Sequence, residues 1–181
     1  MTTDTDRTID PVAEPTEYQQ MLLSALGDAD PADAQRETAT ELRWLVAEAG
    51  PDLRTRPAEG EWSVLELIGH IADAEIVYAG RYRWILAHDE PTLIGYEQDD
   101  WVRRLRHNDD DPEELLRLFE GLRDANLALW ERTPDEERAR VGMHSERGPE
   151  SFDLSFRLIP GHSRIHVAQA RRTRELDREG A

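Results

Sequence analysis

The 181-residue chain contains no cysteine and no lysine. The absence of cysteine excludes disulfides, thiolate metal ligands and a cysteine nucleophile, and is compatible with a reducing compartment. All 22 basic residues are arginine, which reads as the codon bias of a GC-rich genome before it reads as chemistry. They face 39 acidic residues, for a formal net charge of −17. Nucleic acid is therefore not an expected partner, because phosphate binding needs a basic face. Anionic membrane surfaces are disfavoured on the same ground. No apolar run approaches the roughly 18 residues of a membrane span. The opening "MTTDTDRTIDPVAEPTE" lacks a basic segment followed by an apolar core, so no signal peptide is expected and the cytoplasm is the default location. Alternating strand patterns of useful length are missing too.

What is present is helical periodicity. Residues 1–15 are rich in Thr, Asp and Pro and are expected to form a flexible leader before a single domain at 16–181. A short helix is predicted at 16–26. The next has Asp30 as N-cap, Pro31 at its first position and Gly50 past its end, with Leu42, Leu45, Val46 and Ala49 on one face. In "EWSVLELIGHIADAEIVYAGRYRWILAHDEP", Ser63 and Glu66 form a capping box that starts a helix at 64–88. Asp111 and Pro112 open another at 112–132. The last is predicted at 151–176 and should kink at Pro160, whose ring removes the bond to the Phe156 carbonyl. Four long amphipathic helices bury their stripes most simply in an all-α, up-and-down four-helix bundle with a long helix 2–3 connection at 89–111.

The chemistry rests on histidines. His162 and His166, in "IPGHSRIHVAQ", lie one helical turn apart, with Cβ atoms roughly 6 Å from each other. Alone, the pair fits a solvent-facing and a hydrogen-bonded histidine as well as it fits a metal site. Ser163 stands where the general-base glutamate of an H-E-x-x-H metalloprotease would be, so that class is excluded. His70 sits at the centre of the apolar stripe of the 64–88 helix, where an unsatisfied imidazole would be costly. A core histidine bonded to a neighbouring helix accounts for His70 alone; three inward histidines on two helices are harder to dismiss that way, and bundle interiors are where such folds build metal sites. His88, His107 and His144 fall at a helix end or in loops and are expected to be solvated.

"EWSVLELIGHIADAE" followed by "IPGHSRIHVAQ" resembles the DinB-like superfamily, which includes YfiT-like metal-dependent hydrolases. The residues that carry the resemblance are Trp62, Ser63, His70, Asp73, Glu75, Gly161, His162, His166 and Gln169, within roughly 30–176. "GYEQDDWV" also looks like the loop after the second helix. Ser163 departs from a pattern that often has Asp there. The resemblance implies a four-helix bundle, a dimer, and one divalent ion held by His70, His162 and His166. It also implies a small-molecule substrate, low-molecular-weight thiols being used by characterised members.

Three neutral imidazoles would leave an open coordination position, the pattern of a catalytic rather than a structural site. Zinc, nickel and ferrous iron all suit imidazole. Asp73, one turn after His70, is the candidate catalytic proton acceptor; an ordinary polar residue at the bundle edge fits equally. Gln169 could orient a ligand or bridge helices. Arg81, three turns beyond His70, would either join a buried ion pair or grip a distant carboxylate of a long substrate. Two classes remain open at this point: a metal-dependent thiol S-transferase or hydrolase in detoxification or stress response, and a non-catalytic metal- or ligand-binding bundle.

Overall fold

The computed structural model describes residues 13–180, with side chains through 176. The leader expected at 1–15 lies almost wholly outside the described residues, and helix α1 (Pro15–Leu26) begins at its end. Helix α2 (Pro31–Ala49) follows, its first turn held by Asp30 Oδ1, which accepts from the Ala32 and Asp33 amides. Helix α3 (Val64–Ala87) starts on the predicted capping box: the Glu66 amide donates to Ser63 Oγ and the Ser63 amide to Glu66 Oε2. Such caps each stabilise a helix start by about 1 kcal/mol. Helix α5 (Pro112–Arg132) is capped by Asp111 in the same manner as α2. Helix α7 (Phe152–Gly180) is the longest. It runs through Pro160, and the Phe156 carbonyl that the proline cannot serve accepts instead from Gln35 Nε2 at 3.0 Å.

Helices α2, α3, α5 and α7 form the bundle, with α1 laid along α7. Round the ring the neighbours are α2–α7, α7–α3, α3–α5 and α5–α2. Their directions follow from the contacts. Gln35 reaches Phe156 while Arg174 meets Glu48, so α2 and α7 are parallel. His70 faces His162, and Tyr82 packs on Phe152, so α3 and α7 are antiparallel. Arg36 pairs with Glu131 and Arg43 with Glu120, so α2 and α5 are antiparallel. Helices α3 and α5 are therefore parallel. The four-helix bundle and its long connection are as expected, but the directions run up, down, down, up rather than alternating. The reason is the connection itself: 88–111 carries the chain back along α3, a length of about 36 Å for 24 residues, to its starting end. There Ser63 Oγ donates to Asn108 Oδ1 and the His107 ring lies against Gly69.

The connection contains β1 (Thr92–Leu93) and α4 (Gln98–Leu105). A short α6 (Asp135–Arg138) precedes a hairpin of β2 (Val141–His144) and β3 (Gly148–Ser151). Strand β1 pairs parallel to β2, Leu93 opposite His144, and β2 pairs antiparallel to β3. This three-stranded sheet was not expected, because strands of two to four residues carry no readable alternation. It closes the far end of α3.

One buried polar layer crosses all four helices. Arg123 of α5 donates to Glu75 of α3 at 2.8 Å and to the Gln35 carbonyl of α2 at 2.9 Å, and Asn126 donates to the other Glu75 oxygen. Gln35 completes the circuit to α7 through Phe156. Apolar clusters lie on either side, one centred on Leu42, Leu65 and Phe119, the other on Tyr82, Phe152 and Phe156.

Candidate metal centre

The three histidines converge. His70 Nε2 lies 3.0 Å from His162 Nε2 and 3.2 Å from His166 Nε2. Their ligand atoms all fall within 4.8 Å of one another. His70 is in the second turn of α3; His162 and His166 are one turn apart on the facing stretch of α7. The half-buried indole of Trp62, just ahead of the α3 cap, closes one side with its ring centroid 5.1 Å from that of His70 and 6.3 Å from that of His166. Gly161 lets this part of α7 approach α1, since a Cβ there would lie 2.0 Å from the Leu22 carbonyl oxygen.

Burial, and then the neighbouring rings, hold His70 and His162 well below the ordinary imidazole pKa. Burial also holds His166 at about 4, against the opposing hydrogen bond that its Nδ1 donates to Gln169 Oε1. All three are therefore neutral near pH 7, the form that ligates a metal. Without a cation the cluster is poorly satisfied. Three Nε2 atoms face one another, and the buried Nδ1 atoms of His70 and His162 have no partner. A divalent ion accepts all three lone pairs at once, and the donor set fits one. Only His166 has its ring fixed from behind, by Gln169 Oε1 at 3.0 Å from Nδ1. That bond gives Gln169 the orienting contact that its spacing allowed.

Asp73 is buried one turn from His70 but is not one of the converging groups. Its Oδ2 is 2.7 Å from His107 Nε2, and His107 Nδ1 is 2.7 Å from Asp110 Oδ2. The expectation of a solvated His107 is thus overturned: the side chain is buried between two carboxylates. Burial alone would lower its pKa, but the bonds to Asp73 and Asp110 outweigh that and raise it. The site it occupies exists because residue 69 is glycine; a Cβ there would be 2.4 Å from the imidazole Cγ. His144 is corrected likewise, being 3% exposed beside Arg81. His88 is exposed as expected. Glu66 is consumed by the capping box and a bond from Arg56. Loop contacts between residues far apart in sequence carried no signal that could have placed His107 or His144. The one local hint was Gly69 beside a histidine helix face.

Fold and site together define a class: a four-helix bundle with a three-histidine centre between its second and last helices. The sequence profile described as the DinB superfamily matches residues 16–170, and the chain belongs to that superfamily. A relative from Geobacillus thermodenitrificans, named "Putative metal-dependent hydrolase", is 28% identical over 139 residues, covering 75% of this chain and 78% of its own length. One from Oceanobacillus iheyensis, with a name of the same form, is 24% identical over 111 residues, covering 61% of this chain. That match spans 63% of the Oceanobacillus protein. The solved structure of YfiT from Bacillus subtilis superposes with a TM-score of 0.70 over 98% of this chain and 93% of that one, at 21% identity. Its bundle topology is described as unusual, and the shared fold is what this likeness shows.

Proposed function

We propose that the chain is a divalent-metal-dependent enzyme acting on a small molecule, as a thiol S-transferase or a hydrolase, in detoxification or stress response. The convergence of the three Nε2 atoms within a buried pocket of neutral imidazoles carries this reading. The names of the relatives point the same way. His70, His162 and His166 would hold the ion and leave it an open position. A zinc, nickel or ferrous ion there would supply Lewis-acid activation of water or of an exogenous thiol. Asp73 would take up the proton that activation releases, and His107, bonded to its Oδ2, fixes its orientation. Trp62 shields one side from water. A homodimer belongs to the same proposal, with Ile76 and Trp84 on the outer face of α3 as its apolar contacts.

The deciding experiment is metal analysis of protein purified without a histidine tag, followed by a screen of small thiols against electrophiles and of hydrolysable esters and amides. About one divalent ion per chain is expected. Asp73→Asn should lower turnover more than metal content, since it removes a proton acceptor and no ligand. A loaded protein with no turnover and no exchangeable position, read from the spectrum of its cobalt-substituted form, leaves a non-catalytic metal-binding bundle instead.

A further inference from the structure

Two arginines are buried in the described residues, Arg81 and Arg123, and the side chain of a third, Arg147, is only 8% exposed. Arg123 is paired with buried Glu75, and Arg147 with buried Glu150. Arg81 is 3% exposed and, among the described residues, has no carboxylate partner. Its Nη2 donates to the Ile94 carbonyl at 3.0 Å, its guanidinium lies 4.8 Å from the Tyr78 ring centroid, and its Nε has no partner at all. A buried cation without a counter-charge is costly. The one acidic group of the cluster is already used: Glu150 Oε2 is held by Arg147 and Oε1 by Ser155. The cluster therefore sets two guanidiniums against one carboxylate, Glu150, which is in contact with Arg147 and acts on Arg81 only at longer range.

His144 sharpens the point. Its Nδ1 accepts from the Glu146 and Arg147 amides at 3.2 and 3.3 Å, while its Nε2 lies 3.0 Å from Arg81 Nη2. Amides and guanidinium can only donate, and a neutral imidazole accepts at one nitrogen. Burial and the charges of Arg147 and Arg81 hold His144 at about 4, so the ring is neutral. With Nδ1 accepting from the backbone, Nε2 carries the proton and aims it at the guanidinium. Two donors then meet at 3.0 Å with no acceptor shared between them, and an anion oxygen lying beside the contact would accept from both. Half-buried Tyr18 and Tyr96 feel the charge of Arg81 from α1 and from the 88–111 connection.

We infer that Arg81 and His144 form a subsite for a carboxylate at the far end of the substrate bound at the metal centre. Residues 70 and 81 are eleven apart, three turns plus about 20°, so both lie on one face of α3, about 16 Å apart along its axis. The substrate is then an elongated molecule with its reacting group at the histidines and a carboxylate at the other end. This rests on the metal-centre reading for the reacting end, but not for the carboxylate end.

The test uses the full chain in two forms. With cobalt at the histidines, thiolate absorption reports binding of ω-mercapto acids and of the matching mercapto alcohols. 11-Mercaptoundecanoate should bind about tenfold more tightly than 11-mercaptoundecanol, while 3-mercaptopropionate shows no such preference over 3-mercaptopropanol. Arg81→Gln should abolish the preference and leave metal content and alcohol affinity as they were. Arg81→Lys, which keeps the charge within the fold, should retain part of it. With metal-free protein, hexanoate should bind and hexanol should not, read by calorimetry. Equal affinity of long acid and alcohol overturns the subsite, as does a preference that survives Arg81→Gln. Absence of cobalt binding or of any thiolate band strikes only the metal reading, since the hexanoate arm still decides for or against Arg81.

Discussion

At the residue scale the centre depends on three side chains and on what lies behind them. His70→Ala, His162→Ala or His166→Ala should sharply cut metal content of the purified protein, whereas His107→Ala should leave it unchanged, because His107 is bonded to Asp73 and Asp110 and not to the cluster. Unchanged metal in His70→Ala would remove the triad. His107 also makes stability depend on pH. Its folded pKa is raised above the ordinary value of 6.5. Its contribution is therefore fully present below about 6.5 and is lost as pH rises through the raised folded value. In urea unfolding, wild type should exceed His107→Gln by about 1–2 kcal/mol at pH 6, with the gap shrinking towards pH 9. The triad was legible in sequence because two members share a helix face and the third interrupts an apolar stripe. The Asp73–His107–Asp110 link was not, since it joins α3 to a turn 34 residues away.

At the scale of elements, two features tie the helices to one another. The Glu75–Arg123–Asn126 layer satisfies a charge pair with essentially no exposure. Glu75→Ala leaves Arg123 buried and unpaired and should cost about 3–5 kcal/mol in chemical denaturation. Glu75→Leu combined with Arg123→Met should cost clearly less. Gly161→Ala pushes α1 off α7, with an expected loss of about 1–3 kcal/mol, and should weaken metal binding because it displaces the backbone beside His162. Helix positions were readable almost to the residue: caps at Asp30, Ser63 and Asp111 all bond as their spacing predicts. The sheet was not, because Leu93 and His144 pair through a register that no local pattern encodes.

At the scale of the whole molecule, sedimentation at micromolar concentration should give a homodimer, and a monomer would remove that part of the proposal. The number and length of the long helices were legible, but helix direction was not. Amphipathic stripes say which face is buried, and nothing in them says whether 89–111 caps the bundle or runs back along it. The direction has a kinetic consequence. In an alternating bundle each consecutive pair can zip into a helical hairpin before the rest arrives. Here α2 and α3 are diagonal, α3 and α5 are parallel, and α5 and α7 are diagonal. No consecutive pair of bundle helices is an adjacent antiparallel hairpin. The stabilising contacts bridge long stretches of chain, 88 residues from Gln35 to Arg123 and 121 from Gln35 to Phe156. Chain closure must precede their formation, so refolding is expected to be slow for a helical protein of this size. A nascent chain that lacks α7 lacks the neighbour of both α2 and α3, and its apolar stripes stay open to water until the last segment is made.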